Sequence, residues 1–239
     1  GVEVHNDEAR DLLLAGGARF DAAGKRLLLP EGVVQAALGS APRLVRLFDA
    51  RGEPTHWLGG DAVYFTPGSA AIHVLDEATG VVRPPATSDY VRYAKLVSQL
   101  PHLASQSTAL IPNDVPEQIA DSWRLYLSLL LCEKPVVTGA FSAAGFAVMR
   151  DLQLAVRGTA EALRRQPLCI FSCCPTAPLQ WSYDTSQNVI DCARAGVPIE
   201  LVSMPLAGFV APVTLAGSVV QHAAETLSGV VLCQLASPG

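Results

Sequence analysis

From Leu103 onward the chain repeats one pattern: a short run of apolar and small residues, then a longer stretch with apolar residues at helical spacing and a polar face. "LASQSTAL" leads into a helix over 116–132, and "PVVTGA" into a helix across "AVMRDLQLAVRGTAEALRR". "LCIFSCC" leads into a helix near 186–194, and "PIELVSM" into a long helix from Thr214 to Leu235. Runs so nearly free of charge are dry on both faces, the mark of a parallel sheet covered by helices. Two architectures satisfy that rhythm, an open doubly wound sheet and a (β/α) barrel. No glycine-rich dinucleotide or phosphate fingerprint follows any of the strands, which favours the barrel. With "VYFTPG" as a first strand there are five barrel strands, and a barrel of eight needs ~250 residues for itself. The expected fold class is therefore α/β, an incomplete (β/α)8 TIM-type barrel. It occupies 62–239 as the N-terminal portion of a truncated barrel, with a small N-terminal α+β region over 1–61.

That first region opens with "NDEARDLLLAGG", where Asn6 or Asp7 caps a helix and glycine stops it. "PEGVVQAALGSA" repeats the pattern behind Pro30. "RLLL" and "RLVRLFD" read as strands, the second closed by the turn "DARG". Further on, "IHVLDEATGVVR" reads as a hairpin around "EATG", and "TSDYVRYAKLVSQL" as a helix capped by Thr87 or Ser88.

Charge excludes several functions. Only 16% of residues are charged and the net charge is −5, with no basic run to draw in DNA, RNA or an anionic membrane. The apolar stretches are broken by Gly, Pro, Gln or Glu well short of the ~20 residues of a bilayer span. Cys169, Cys173 and Cys174 crowd one apolar strand, and Cys132, Cys192 and Cys233 fall in helical patterns. This distribution fits reduced, buried thiols and a cytoplasmic protein better than a disulfide framework.

In a barrel the chemistry sits on loops at the C-terminal ends of strands. "SMPLAGFVAPVTLAGS", Ser203 to Ser218, is such a crossing, with no charged side chain and with Pro and Gly to bend it. It reads either as a dry pocket wall or as a tight loop that only packs.

The block "MPLAGFVAPVTLAGSVVQHAAETLSGVVLCQLASPG", with "GGDAVYFTPGS" and "VLDEATGVVRPPATSDYVRYAKL" upstream, resembles the trimethylamine methyltransferase family over nearly the whole chain. The resemblance implies a TIM barrel that takes a methyl group from a methylated amine and passes it to the cobalt of a corrinoid. That cofactor is carried by a separate small protein and is not bound tightly by this chain. Some members use pyrrolysine, at a position in the C-terminal part absent here, and others are similar to glycine betaine methyltransferases. Cys174 stands before Pro175 where some relatives have Asn, which would remove a polar ligand contact.

A quaternary ammonium offers diffuse positive charge and no N–H, so aromatic faces and a nearby carboxylate are the groups to hold it. Tyr64 and Phe65, Phe141, Trp181 and Tyr183, and Phe209 fall at predicted strand ends, each either lining a pocket or packing between helices. Trp181 and Tyr183 stand out because they lie in a loop of Pro and polar residues. The substrate-binding set expected is Tyr64, Phe141, Trp181, Tyr183, Asp184, Met204 and Phe209, with Thr66, Phe141, Trp181 and Met204 around one mouth.

Asp114 fits a cap of the helix after Pro116, and Asp184 either meets the substrate or caps the next helix. No nucleophile–base pair stands out, and none is required of a quaternary donor whose methyl carbon is attacked directly. Catalytic residues stay unassigned. "CIFSCC" lacks the paired spacing of a zinc site, and His222 and Glu225 in "QHAAE" lack the HExxH pattern, so they read as a solvated helix face or a subunit contact. His73 and His102 read as surface residues, and neither Lys95 nor Lys134 stands where a Schiff-base lysine of an aldolase would. A competing reading is an amine-binding or sensing protein without catalysis, and low surface charge also allows self-association.

Overall fold

The structure, a computed structural model, describes residues 1–239. After strand β1 (Glu3–Val4), the Asn6 side chain accepts the Ala9 amide and starts helix α1 (Asp7–Ala15), with Asp7 and Glu8 at its positive end. Strands β2 (Arg19–Asp21) and β3 (Arg26–Leu28) form an antiparallel hairpin, and α2 (Glu31–Ser40) follows Pro30. Strands β4 (Val45–Phe48) and β5 (Pro54–Leu58) form a second hairpin, closed where Asp49 accepts the amides of Arg51 and Glu53. A third pairs β6 (Val74–Leu75) with β7 (Val82–Arg83), around a turn in which Asp76 holds the Thr79 amide and hydroxyl.

Helix α3 (Thr87–Gln99) precedes strand β8 (Gln106–Ser107), and a single 3-10 turn over Glu117–Ile119 enters helix α4 (Ala120–Leu131). Strand β9 (Val136–Thr138) is followed by α5 (Ala143–Arg157) and α6 (Ala160–Arg165). The single helix expected there is two, because Gly158 takes φ 82 and Thr159 caps a new start by accepting the Ala162 amide. Then come β10 (Cys169–Cys173), β11 (Gln180–Trp181), α7 (Tyr183–Ala195), β12 (Ile199–Leu201) and α8 (Leu215–Ala236). Thr214 caps α8 through the Gly217 amide, at the boundary read from the sequence.

The chain divides into two compact units, one of Leu44–Phe171 with Gly196–Pro198, the other of Gly1–Arg43, Ser172–Ala195 and Ile199–Gly239. In the first, β8, β9 and the start of β10 are parallel, with Gln106 and Cys169 both opposite Val136, and Phe171 opposite Thr138. "VYFTPGS" is not a strand, which corrects the count of five. Its backbone instead follows β8 irregularly: Ala104 donates to the Phe65 carbonyl, the Ser107 hydroxyl to Gly68, and Ala70 to Thr108. A Thr-Pro-Gly sequence cannot supply a regular ladder of N–H donors, and the segment hydrogen-bonds where it can. Tyr90, fully buried, donates its hydroxyl to the Ser107 carbonyl and thereby fixes α3 against β8.

In the other unit one core gathers Leu13, Leu27, Trp181, Ile190 and Leu232, with α8 packed against α1, α2 and α7. The end of β10 lies beside β12, and the Val202 amide donates to the Cys173 carbonyl. The first half of α8 is turned inside out. Its buried stripe is Ser218, Gln221, Glu225, Ser228 and Gly229, while Leu215, Val219 and Val220 face outward.

Candidate functional site

In the first unit the residues following β8 and β9 surround a buried ion pair. Arg124 of α4 is 1% exposed; it donates to Asp121 at 2.6 Å and to the Thr108 carbonyl at 2.9 Å. The second oxygen of Asp121 accepts the Phe141 amide at 2.5 Å, and the Arg124 guanidinium lies 4.7 Å from the centre of the Phe141 ring. One face of this aromatic is thus already committed to a cation of the protein, while the side chain stays half exposed. Thr108 and Thr138 join hydroxyls at 3.2 Å just inside.

Tyr64 is not with Phe141. Its ring packs 4.4 Å from that of His56, whose Nε2 meets the hydroxyl of Ser105 at 2.9 Å, and Ser105 lies ahead of β8. Tyr64 therefore sits at the opposite end of the parallel strands from Phe141, because the segment carrying it enters alongside β8 instead of ending there. Burial pushes the His56 imidazole below its usual range.

In the second unit the loops that leave β10 and β12 are tied to one carboxylate. Glu225 is fully buried; its Oε1 accepts the Leu179 amide at 2.8 Å and the Gln221 Nε2 at 3.0 Å, and its Oε2 accepts the Ser203 hydroxyl. The same Gln221 nitrogen donates to the Val210 carbonyl at 2.9 Å, so the carboxylate lies two hydrogen bonds beneath the loop that leaves β12. Leu179 takes φ 58, a left-handed conformation unusual for a branched residue, with its amide aimed at Glu225. Glu225 is thus not on a solvated helix face, whereas His222 beside it is exposed. The sequence signal was present: Ser218, Gln221, Glu225, Ser228 and Gly229 recur at three- and four-residue steps, a polar stripe on an otherwise apolar helix.

Trp181, expected in a polar loop, is on β11 and 1% exposed. Its indole N–H donates to the Ser228 hydroxyl at 2.9 Å, and Ser228 donates in turn to the Glu225 carbonyl at 2.7 Å. A β-carbon on Gly229 would lie 2.9 Å from the Trp181 ring, so this glycine is the space the indole occupies. Tyr183 is exposed on the first residue of α7, and Asp184 is next to it; Ser182, which accepts the Thr185 amide, supplies the cap. Met204 and Phe209 stand out from the loop after β12, Phe209 at 83% exposure.

Asp114 accepts the amide and hydroxyl of Thr87, serving the start of α3 instead of α4. Lys134 donates to the carbonyls of Val97, Leu100 and Leu103 and so closes the end of α3. All six cysteines are free, and burial raises the thiols of Cys132, Cys169, Cys174, Cys192 and Cys233, the last to about 11. No group of three or more His, Cys, Asp or Glu side chains is arranged to hold a metal ion. No helix is long and apolar enough to cross a membrane. A groove of about 410 Å³ on the N-terminal segment, lined by His5, Arg10, Phe20 and Lys25 among others, holds none of the expected site residues.

The family model described as "Trimethylamine methyltransferase (MTTB)" matches residues 1–239. The chain is 29% identical to trimethylamine methyltransferase MttB of Desulfitobacterium hafniense over its full length, covering 48% of that protein. It is 30% identical to the protein of the same name from Methanosarcina thermophila, of which it covers 50%. A glycine betaine methyltransferase of Desulfitobacterium hafniense is 27% identical, again with 50% covered. The chain thus spans about half the length of the curated relatives it matches. With a match from its first residue to its last, the chain belongs to the trimethylamine methyltransferase family.

Proposed function

We propose that this chain contributes the amine-binding strand ends of a methyltransferase. In this reading it moves a methyl group from a methylated amine, quaternary and glycine-betaine-like or trimethylamine, to the cobalt of a corrinoid held by a partner protein. The single observation that carries the reading is the family match over the whole chain, with relatives named for both substrates. A TIM-type barrel completed by further strands is the architecture in which the parallel strands and their loops would operate.

The residues support this in particular ways. In one unit Phe141, and in the other Tyr183, Met204 and Phe209, are exposed next to strand ends, each offering a ring face or thioether surface without charge. Asp184 adjoins Tyr183 as a carboxylate. Trp181 acts from beneath by holding the loop between β10 and α7 in place, and Tyr64 belongs to the other end of the strands. A corrinoid brought by a partner would supply a nucleophilic cobalt for the methyl carbon, with the C–N bonding electrons left on nitrogen, so a quaternary donor would need no base from this chain. The exposed, uncharged surface of Met204, Leu206 and Phe209 fits a dry contact with such a cofactor. What is left to the chain is to orient the amine and exclude water. The free, buried thiols agree with a cytoplasmic setting.

The test mixes the protein with a reduced corrinoid carrier and either trimethylamine or glycine betaine, and follows the corrinoid absorption spectrum. Conversion with one of the amines is expected. Amine binding with no conversion, where a family relative converts the same carrier, would make this a binding or sensing protein instead.

A further inference from the structure

Glu225 is buried in the core of its unit with no cation beside it. Its carboxyl group is held by the Leu179 amide, the Gln221 Nε2 and the Ser203 hydroxyl. All three donors are neutral, and no Lys, Arg or His pairs with it. Burying an anion is costly, and neutral donors offset only part of that cost. Proteins that bury a charge ordinarily place its partner alongside, as Asp121 and Arg124 do in the other unit at 2.6 Å.

The location of this carboxyl group is specific. Its donors are the loop that leaves β10, through Leu179, and the loop that leaves β12, through Ser203, with Gln221 linking it to Val210 in the latter. It therefore stands directly under the strand-end surface bearing Met204 and Phe209, where low solvent access leaves its field weakly screened. Ring faces favour a methylated nitrogen over a neutral tert-butyl group through their quadrupole, whereas thioether and aliphatic walls such as Met204 and Leu206 do not, so a fixed anion beneath the loop adds to the preference for charge.

We propose that Glu225 is the specificity-determining anion of this site, selecting cationic methylated nitrogen over its uncharged carbon analogue without touching it. This rests on the methylated-amine reading above. The carboxylate acts through the polarised Ser203 hydroxyl and the Gln221 amide, which present its negative charge to the loop surface. A cation held at ~8 Å in a medium of effective dielectric ~20 gains roughly 30-fold in affinity.

The test compares choline with its neutral isostere 3,3-dimethylbutan-1-ol by calorimetry. The wild-type chain is expected to bind choline at least ~30-fold more tightly. Glu225→Gln keeps the acceptor for Leu179 and Gln221 and can donate to Ser203, so it should hold the isostere unchanged while the ratio falls about 30-fold. Glu225→Asp retains the charge and should keep most of the preference. If the wild-type chain binds both ligands equally, or if Glu225→Gln folds and still prefers choline by the original ratio, the inference is overturned. Should Glu225→Gln misfold, Ser203→Ala, which removes one of the two groups that carry the charge outward, should lower the preference, and an unchanged ratio there overturns the inference. If neither ligand binds the wild-type chain, it is the methylated-amine reading that fails.

Discussion

Removing the carboxylate of Asp121 tests whether the strand-end structure around Phe141 depends on the buried ion pair. In Asp121→Ala, the Arg124 guanidinium stays 1% exposed with only the carbonyls of Thr108 and Ala120 for partners, and the Phe141 amide loses its acceptor. Breaking a buried pair from one side costs about 3–5 kcal/mol, a large part of the ~5–15 kcal/mol that stabilises a typical protein. With a urea dependence near ~3 kcal/mol per molar, the midpoint should fall by about 1–1.7 M. Urea titration followed by far-UV circular dichroism measures this directly. The double variant Asp121→Ala with Arg124→Met removes the stranded cation as well, and should return to within ~2 kcal/mol of the parent. A single variant within ~1 kcal/mol of the parent, or a double variant no better than the single, would refute the claim that an uncompensated buried charge governs this loop.

Four further outcomes are expected. Because burial lowers the His56 pKa, the unfolded chain takes up a proton near pH ~6.5 that the folded chain refuses, so stability falls as pH drops through that value. His56→Gln should flatten the slope there. Asp89 is held well below the usual carboxylate range, chiefly by Arg83 and then by the Ala86 amide, so its contribution is present above pH ~3.9 and lost as the pH falls further. Asp89→Asn should remove this second, acidic loss in the same melting series. Trp181→Ala should destabilise by about 3–5 kcal/mol in thermal melts, and Trp181→Phe by only about 1–2 kcal/mol, because it keeps most of the buried ring and loses the bond to Ser228. The outward apolar face of α8 should bind a hydrophobic dye, and Leu215→Lys with Val220→Lys should reduce that fluorescence at least twofold without altering the melting point, since both side chains are at least 70% exposed.

The elements that periodicity governs followed from the sequence. Thr214, Asn6 and the "DARG" turn stand where local hydrogen bonding alone puts them, and the apolar runs around β9 and β10 pair in parallel as dry strands should. What failed depended on long-range partners. "VYFTPGS" has strand composition, but its proline and glycine keep it from a regular ladder beside β8. Asp114 satisfies the spacing of one helix cap and serves another helix 27 residues away. Glu225 had the charge of a surface residue, and only the meeting of two loops over α8 explains its burial. Trp181 was assigned to a loop because its neighbours are polar, yet the side chain points into the core that α8 completes.

Methyl transfer itself can be followed with trimethylamine or glycine betaine carrying 13C in its N-methyl groups, mixed with this protein and a reduced corrinoid carrier, using a family relative as the positive control. The account predicts that 13C signal leaves the amine and appears on the corrinoid. Label that stays wholly on both amines, while the relative transfers it to the same carrier, would contradict it.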